Sequence, residues 1–189
     1  MNLYRVHITK LETDQILVPN TNGFISNLSG TRKVVEGFIE SEIPEEVSLT
    51  SRKECVFLFC ELKNALEYCL NFKRDQHVYI YTASVDSTDI LRKCDMGLID
   101  IANKLVEFGA CEDIIKKICQ LYWNNGHTAG SCYEYLVKKA TIKSCLWDGR
   151  VSEIKEQYLV LSSMERVPLY LGLLSSSKKD CPKLSYKEL

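Results

Sequence analysis

Leu62, Ala65, Leu66, Cys69 and Leu70 recur at i, i+3, i+4, i+7 and i+8, the spacing that lines one face of an α-helix. Segments of a different period bracket this stripe. Before it, Val56-Phe57-Leu58-Phe59 is a short continuous apolar run, and after it His77 to Ala83 alternates tyrosines with aliphatics, as a half-buried strand does. A helix with one apolar face between two strands buries that face on the sheet the strands help to build. Residues 56–83 are therefore expected as a βαβ-like unit, which commits the chain to helices packed on a sheet.

The remaining segments extend that pattern. Residues 2–9 alternate so that Tyr4, Val6 and Ile8 share one face of an opening strand while Leu3, Arg5 and His7 share the other. From 19 to 31 the chain is rich in Asn, Ser, Thr and Gly, a turn-forming stretch long enough to act as a lid. A short helix is expected over 32–41, weakened by Gly37 and stopped by Pro44. Ile90 and Leu91 start a brief extended piece. Helices follow over 98–108, closed by Gly109 as a left-handed cap, and over 112–123, with Glu112 and Asp113 at its positive end. A third helix is expected over 131–139, presenting Tyr135 and Leu136. A strand over 140–146 then ends in the turn signal Trp147-Asp148-Gly149, and further strands are expected over 158–161 and 167–174. Strands at both ends and helices in the middle make the fold class α+β, with a split, largely antiparallel sheet. Residues 1–174 form one domain and 175–189 a polar, lysine-rich tail.

Composition narrows the function classes. With 189 residues, 46% hydrophobic content and a formal net charge of −1, the chain can bury a core and does not bind nucleic acid through bulk electrostatics. It lacks an apolar run of membrane-spanning length and the layout of a signal peptide, so no membrane association and a cytoplasmic location are expected. Nine cysteines without a CxxC pair, most of them in apolar stretches, read as buried reduced thiols, and no spacing suits zinc. Glycine-rich dinucleotide and triphosphate loops and a Gly-x-Ser-x-Gly elbow are absent.

Glu153, Glu156 and Gln157 stand directly before the apolar strand Tyr158-Leu159-Val160-Leu161. A carboxylate there costs little only if it reaches a polar cleft, and Arg5 and His7 offer the opposite wall of one. Leu3-Tyr4-Arg5 with His7, the hydroxyls Ser48, Thr50 and Ser51 before 56–59, Tyr68 on the following helix and the late acidic residue together resemble the ADP-ribosyltransferase fold, in that order along the chain.

The resemblance implies transfer of ADP-ribose from NAD, used as substrate, to a macromolecular acceptor, protein or nucleic acid, as in toxins and defence effectors. Arg5 with His7 would contact the pyrophosphate or ribose of NAD. Thr50 and Ser51, or Tyr68, would shape the nicotinamide pocket, and Glu156 would be the catalytic carboxylate on the nicotinamide ribose. Most members place that Glu directly before the apolar run, where this chain has Gln157, and Glu153 is a third candidate. The alternatives are an inactive or RNA 2′-phosphotransferase-like relative, or a non-enzymatic α+β interaction module that docks a protein partner or inhibitor.

Overall fold

The computed structural model describes residues 3–20, 27–49, 51–130 and 132–154. Seven strands among them, β1 (Leu3–His7), β2 (Ile16–Leu17), β3 (Val56–Phe59), β4 (His77–Ser84), β5 (Ile90–Asp95), β6 (Tyr133–Val137) and β7 (Ala140–Arg150), form one sheet in the order β2-β7-β4-β1-β3-β6-β5. Every adjacent pair is antiparallel. Four helices of the described residues lie between strands in sequence: α1 (Gly30–Ser41), α2 (Leu62–Cys69), α3 (Met96–Glu107) and α4 (Glu112–Trp123). The architecture is α+β. No helix of the described residues is long and apolar enough to cross a membrane.

The sheet divides in the middle. All five residues of β1 pair with β4 and all four of β3 pair with β6, yet β1 and β3 meet only at Tyr4 and Phe59. Past that pair the strands part, leaving two half-sheets joined by a short bridge. Because β1 is antiparallel to both β3 and β4, those two strands run parallel to each other, and α2 is the crossover between them. The βαβ-like unit expected over 56–83 is present, with β1 inserted between its strands.

Alternation along β1 sorts its residues as the sequence suggested. Val6 packs with Phe59, Val78 and Ile80 beneath Leu62, Ala65 and Leu66 of α2. Leu3 lies in the core of the other face with Leu58, Tyr81 and Ile142. A third cluster sets Val35 and Ile39 of α1, Ile99 of α3 and Cys119 and Trp123 of α4 on Leu136 of β6. Phe57 and Leu136 are cross-strand partners, as are Phe59 and Glu134, so α2 covers one half of the helix-bearing face and α1, α3 and α4 the other. The boundary between the two helix groups crosses β3, with Phe59 beneath α2 and Phe57 in the other cluster.

Two local expectations are corrected. Residues 133–137 are strand β6 and not part of a helix over 131–139: Glu134 and Leu136 face the helices while Tyr135 and Val137 pack with the opposite core, a period of 2. Trp147-Asp148-Gly149 is not a turn, because β7 continues through it, pairing with β4 as far as Arg150 opposite His77. Register shifts at Ile80/Tyr81 and Thr82/Ala83 absorb the extra residues of the longer strand, the work of β-bulges. Glu156, Gln157, Thr50, the strands expected over 158–161 and 167–174, the tail and residues 21–26 of the expected lid lie outside the described residues.

Candidate functional site

Arg5 stands beside the point where the half-sheets separate. Its Nη1 donates to the carbonyl oxygen of Phe57 at 2.9 Å, supplying a donor to a strand carbonyl that β1 has moved away from. Its Nε is buried without a partner among the described residues, and burial pulls the guanidinium below the usual arginine range. Tyr68 of α2 packs edge-on to Phe72 and 5.1 Å from the ring of Phe59. Burial raises its pKa, while the Arg5 charge lowers it and the Glu134 carboxylate raises it.

The other expected residues are committed elsewhere. His7 Nδ1 accepts from the Thr9 amide at 3.1 Å and lies 2.8 Å from the Thr9 hydroxyl, which ties the ring to its own loop. Burial, with the Arg5 charge nearby, moves its pKa below the usual histidine value. Ser51 caps the short 3-10 turn Arg52–Glu54 by accepting from the Lys53 amide, and its hydroxyl donates to Glu40. Of the acidic run, Glu153 is described. It is exposed, on the helical turn at 151–154, and accepts from the Arg150 amide at 3.3 Å.

The carboxylate that the fold places in the row of the bridging pair, one strand beyond the split, is Glu134. Cross-strand pairing lines up Thr82, Tyr4, Phe59, Glu134 and Cys94 across β4, β1, β3, β6 and β5, and Glu134 is the one ionisable acid or base in that row besides a tyrosine and a thiol. It is 3% exposed. Its Oε1 receives Arg52 Nη2 and the Tyr122 hydroxyl, each at 2.8 Å, while Oε2 receives no hydrogen bond from the described residues. Arg52 is in turn 4% exposed and donates through Nη1 to Glu36 of α1 at 2.8 Å, and its guanidinium lies against the rings of Phe57 and Tyr122.

Two carboxylates thus flank one guanidinium in the interior. Burial alone works against the Arg52 charge, but Tyr122, Glu134 and Glu36 push its pKa above the usual arginine value. Burial raises the Glu36 carboxyl despite Arg52, and Glu36 Oε1 and Arg52 Nε are buried without partners among the described residues. Removing one member of a buried pair costs about 3–5 kcal/mol, so the cluster is held together by the penalty of breaking it.

The loop leading into β6 is fixed by Asp95, which accepts from the amides of Gly97, Thr128 and Cys132 at 2.7–3.0 Å and from the Thr128 hydroxyl at 2.9 Å. A Cβ at Gly97 would stand 2.6 Å from Thr128 Oγ1, so glycine there permits the close approach. A depression of about 380 Å³ lined by Val47, Ser48, Leu49 and Glu54 lies on the loop ahead of β3 and contains none of these site residues. Among the described residues no group of three or more His, Cys, Asp or Glu is arranged to hold a metal.

Sequence reasoning missed Glu134, Arg52 and Tyr122. The signal for the first was present: Glu134 directly precedes Tyr135-Leu136-Val137, the same layout that drew attention to the run before Tyr158. Reading 131–139 as a helix hid it. Comparison with protein-family models, with curated proteins and with solved structures yields no match.

Proposed function

We propose that the chain transfers ADP-ribose from NAD to a macromolecular acceptor, protein or nucleic acid, with NAD seated where the two half-sheets part. The observation that carries this reading is the cross-strand row Tyr4, Phe59 and Glu134, which sets a buried carboxylate one strand away from the point where Arg5 bonds to the Phe57 carbonyl, with Tyr68 of α2 packed on Phe59. In this reading Arg5 holds the pyrophosphate with the part of its fork not spent on Phe57, since a planar, permanently charged donor suits phosphate. Tyr68 and Phe59 offer ring faces to the nicotinamide.

Glu134 takes the part of the reacting carboxylate. The bond between C1′ of the ribose and the nicotinamide nitrogen breaks, the electron pair leaves with nicotinamide, and the ribose carbon gains oxocarbenium character. A carboxylate beside it stabilises that charge. The acceptor then donates a lone pair to C1′ and gives up its proton to solvent. Transfer of this kind to a macromolecule would suit a toxin or defence effector.

A binding-only relative is favoured by one observation, the commitment of His7 to its own loop and of Ser51 to the turn it caps and to Glu40 of α1. Incubation with NAD labelled in the adenylate moiety, alongside calorimetric titration of NAD, decides among the readings. Nicotinamide release with label in an acceptor supports transfer. Binding without release supports the inactive relative, and no binding leaves an interaction module.

A further inference from the structure

We infer that Arg52 is the positioning residue of this site, fixing Glu134 through one carboxylate oxygen while the other takes no hydrogen bond from the described residues; the inference rests on the transfer reading. Arg52 is gripped from three sides. Glu36 of α1 takes Nη1, the rings of Phe57 and Tyr122 lie against the guanidinium at 4.9 and 5.1 Å from their centroids, and the short turn Arg52–Glu54 is pinned by the Ser51 cap. A guanidinium with so little freedom presents Nη2 to Glu134 in one direction only. Tyr122 delivers its hydroxyl to the same oxygen, Oε1, so both donors pull the carboxylate the same way.

That arrangement has a chemical consequence. A carboxylate that must face a developing cation works best when it does not reorient during the reaction. Two donors on Oε1 hold the carboxylate in place, while Oε2 receives no hydrogen bond from the described residues. A buried ion pair with well-packed apolar groups in its place would stabilise the fold as well or better, so stability is a weak reason for keeping this one. The planar fork of arginine suits this place, since it lies against two rings while presenting separate nitrogens to Glu36 and Glu134, which the compact ammonium of lysine does not reproduce.

The test compares Arg52→Lys and Glu36→Gln with the wild type by thermal unfolding and by steady-state release of nicotinamide. Folded Arg52→Lys should lose about 10²-fold in kcat with KM for NAD nearly unchanged, the signature of a misplaced reacting group. Glu36→Gln keeps the Arg52–Glu134 bond and loosens the grip, and should lose about tenfold in kcat, again without a change in KM. If Arg52→Lys does not fold, Glu36→Gln decides alone. Full kcat in either folded variant, with only the unfolding temperature lowered, would show Arg52 to be structural and overturn the inference. If the wild type itself releases no nicotinamide, the transfer reading falls separately. The side-chain carboxyl carbon resonance of Glu134 then decides the positioning: a shift in the variants upholds it and an unmoved line overturns it.

Discussion

Arg5 Nη1 donates to the carbonyl of Phe57 at 2.9 Å across strands that have ceased to pair, so a side chain stands in for a ladder bond at the seam of the sheet. The same guanidinium is the cation proposed for the NAD pyrophosphate, and in that reading one fork would serve both the seam and the ligand.

Replacing Arg5 with Ala should therefore affect stability as well as binding. The Phe57 carbonyl loses a charged donor, worth about 1.5–3 kcal/mol. Urea unfolding should show a lower midpoint, and NAD titration of the folded fraction a weaker affinity. Normal affinity in a folded Arg5→Ala variant would detach Arg5 from the ligand and leave it a stitch alone.

Asp95 should dominate the acid limb of stability. Burial by itself raises its pKa, but bonds from the amides of Thr128, Gly97 and Cys132 and from the Thr128 hydroxyl outweigh it, and the net direction is downward. A carboxyl depressed in the folded state binds fewer protons there than in the unfolded chain. Its contribution is thus complete above the ordinary carboxyl pKa of about 3.9 and is lost as the pH falls through the lower folded value. Asp95→Asn would turn an amide N–H toward the Thr128 donors. It should cost about 1–3 kcal/mol at neutral pH and flatten the decline of stability at low pH, measured by denaturant titration from pH 7 downward. An unaltered acid limb would mean that another carboxyl governs it.

The fold was more legible in the chain than the site was. The stripe Leu62 to Leu70 and the helix Glu112–Trp123 announced themselves because their period is set by one buried face. Strand β6 did not. Tyr133-Glu134-Tyr135-Leu136-Val137 has a charge at a core position, and a charge inside a short strand breaks the apolar alternation on which period reading depends. Arg52 and Glu36 were invisible for a related reason: an isolated Arg or Glu in sequence reads as surface, and only tertiary contact over 16 residues to Glu36 and 82 to Glu134 reveals a buried pair. Asp148 and Gly149 look like a turn, but pairing with all of β4 overrides that local preference.

The thiols should separate by burial. Cys111 and Cys145 are exposed, whereas burial pushes Cys55, Cys69, Cys94 and Cys119 up to about 12. The thiolate is the reactive form, so these four should resist alkylation at pH 8 in the native protein and react only after denaturation. Peptide mapping after iodoacetamide treatment should find Cys111 labelled early. Burial and Asp148 also raise Cys145, which should lag behind Cys111 in spite of its exposure. Equal labelling of all sites would show that the helix-side core opens on the timescale of the reaction.

Three carboxylates, Glu134, Glu153 and Glu156, contend for the reacting position. A group that acts on charge developing at the ribose carbon affects turnover far more than ground-state binding. Glu134→Gln should lower nicotinamide release about 10²–10³-fold while NAD affinity changes little. Its amide can still accept from Arg52 and Tyr122 through one oxygen, so the folded state has a route to survive the change, and unfolding measurements would confirm that it does. Glu153→Gln should be silent, because that side chain is exposed and bonded to the Arg150 amide on the turn following β7. Glu156→Gln is the decisive comparison. Full activity there with loss in Glu134→Gln places the chemistry on β6; loss in Glu156→Gln with a silent, folded Glu134→Gln returns it to the acidic run and makes the Glu36–Arg52–Glu134 cluster a structural one.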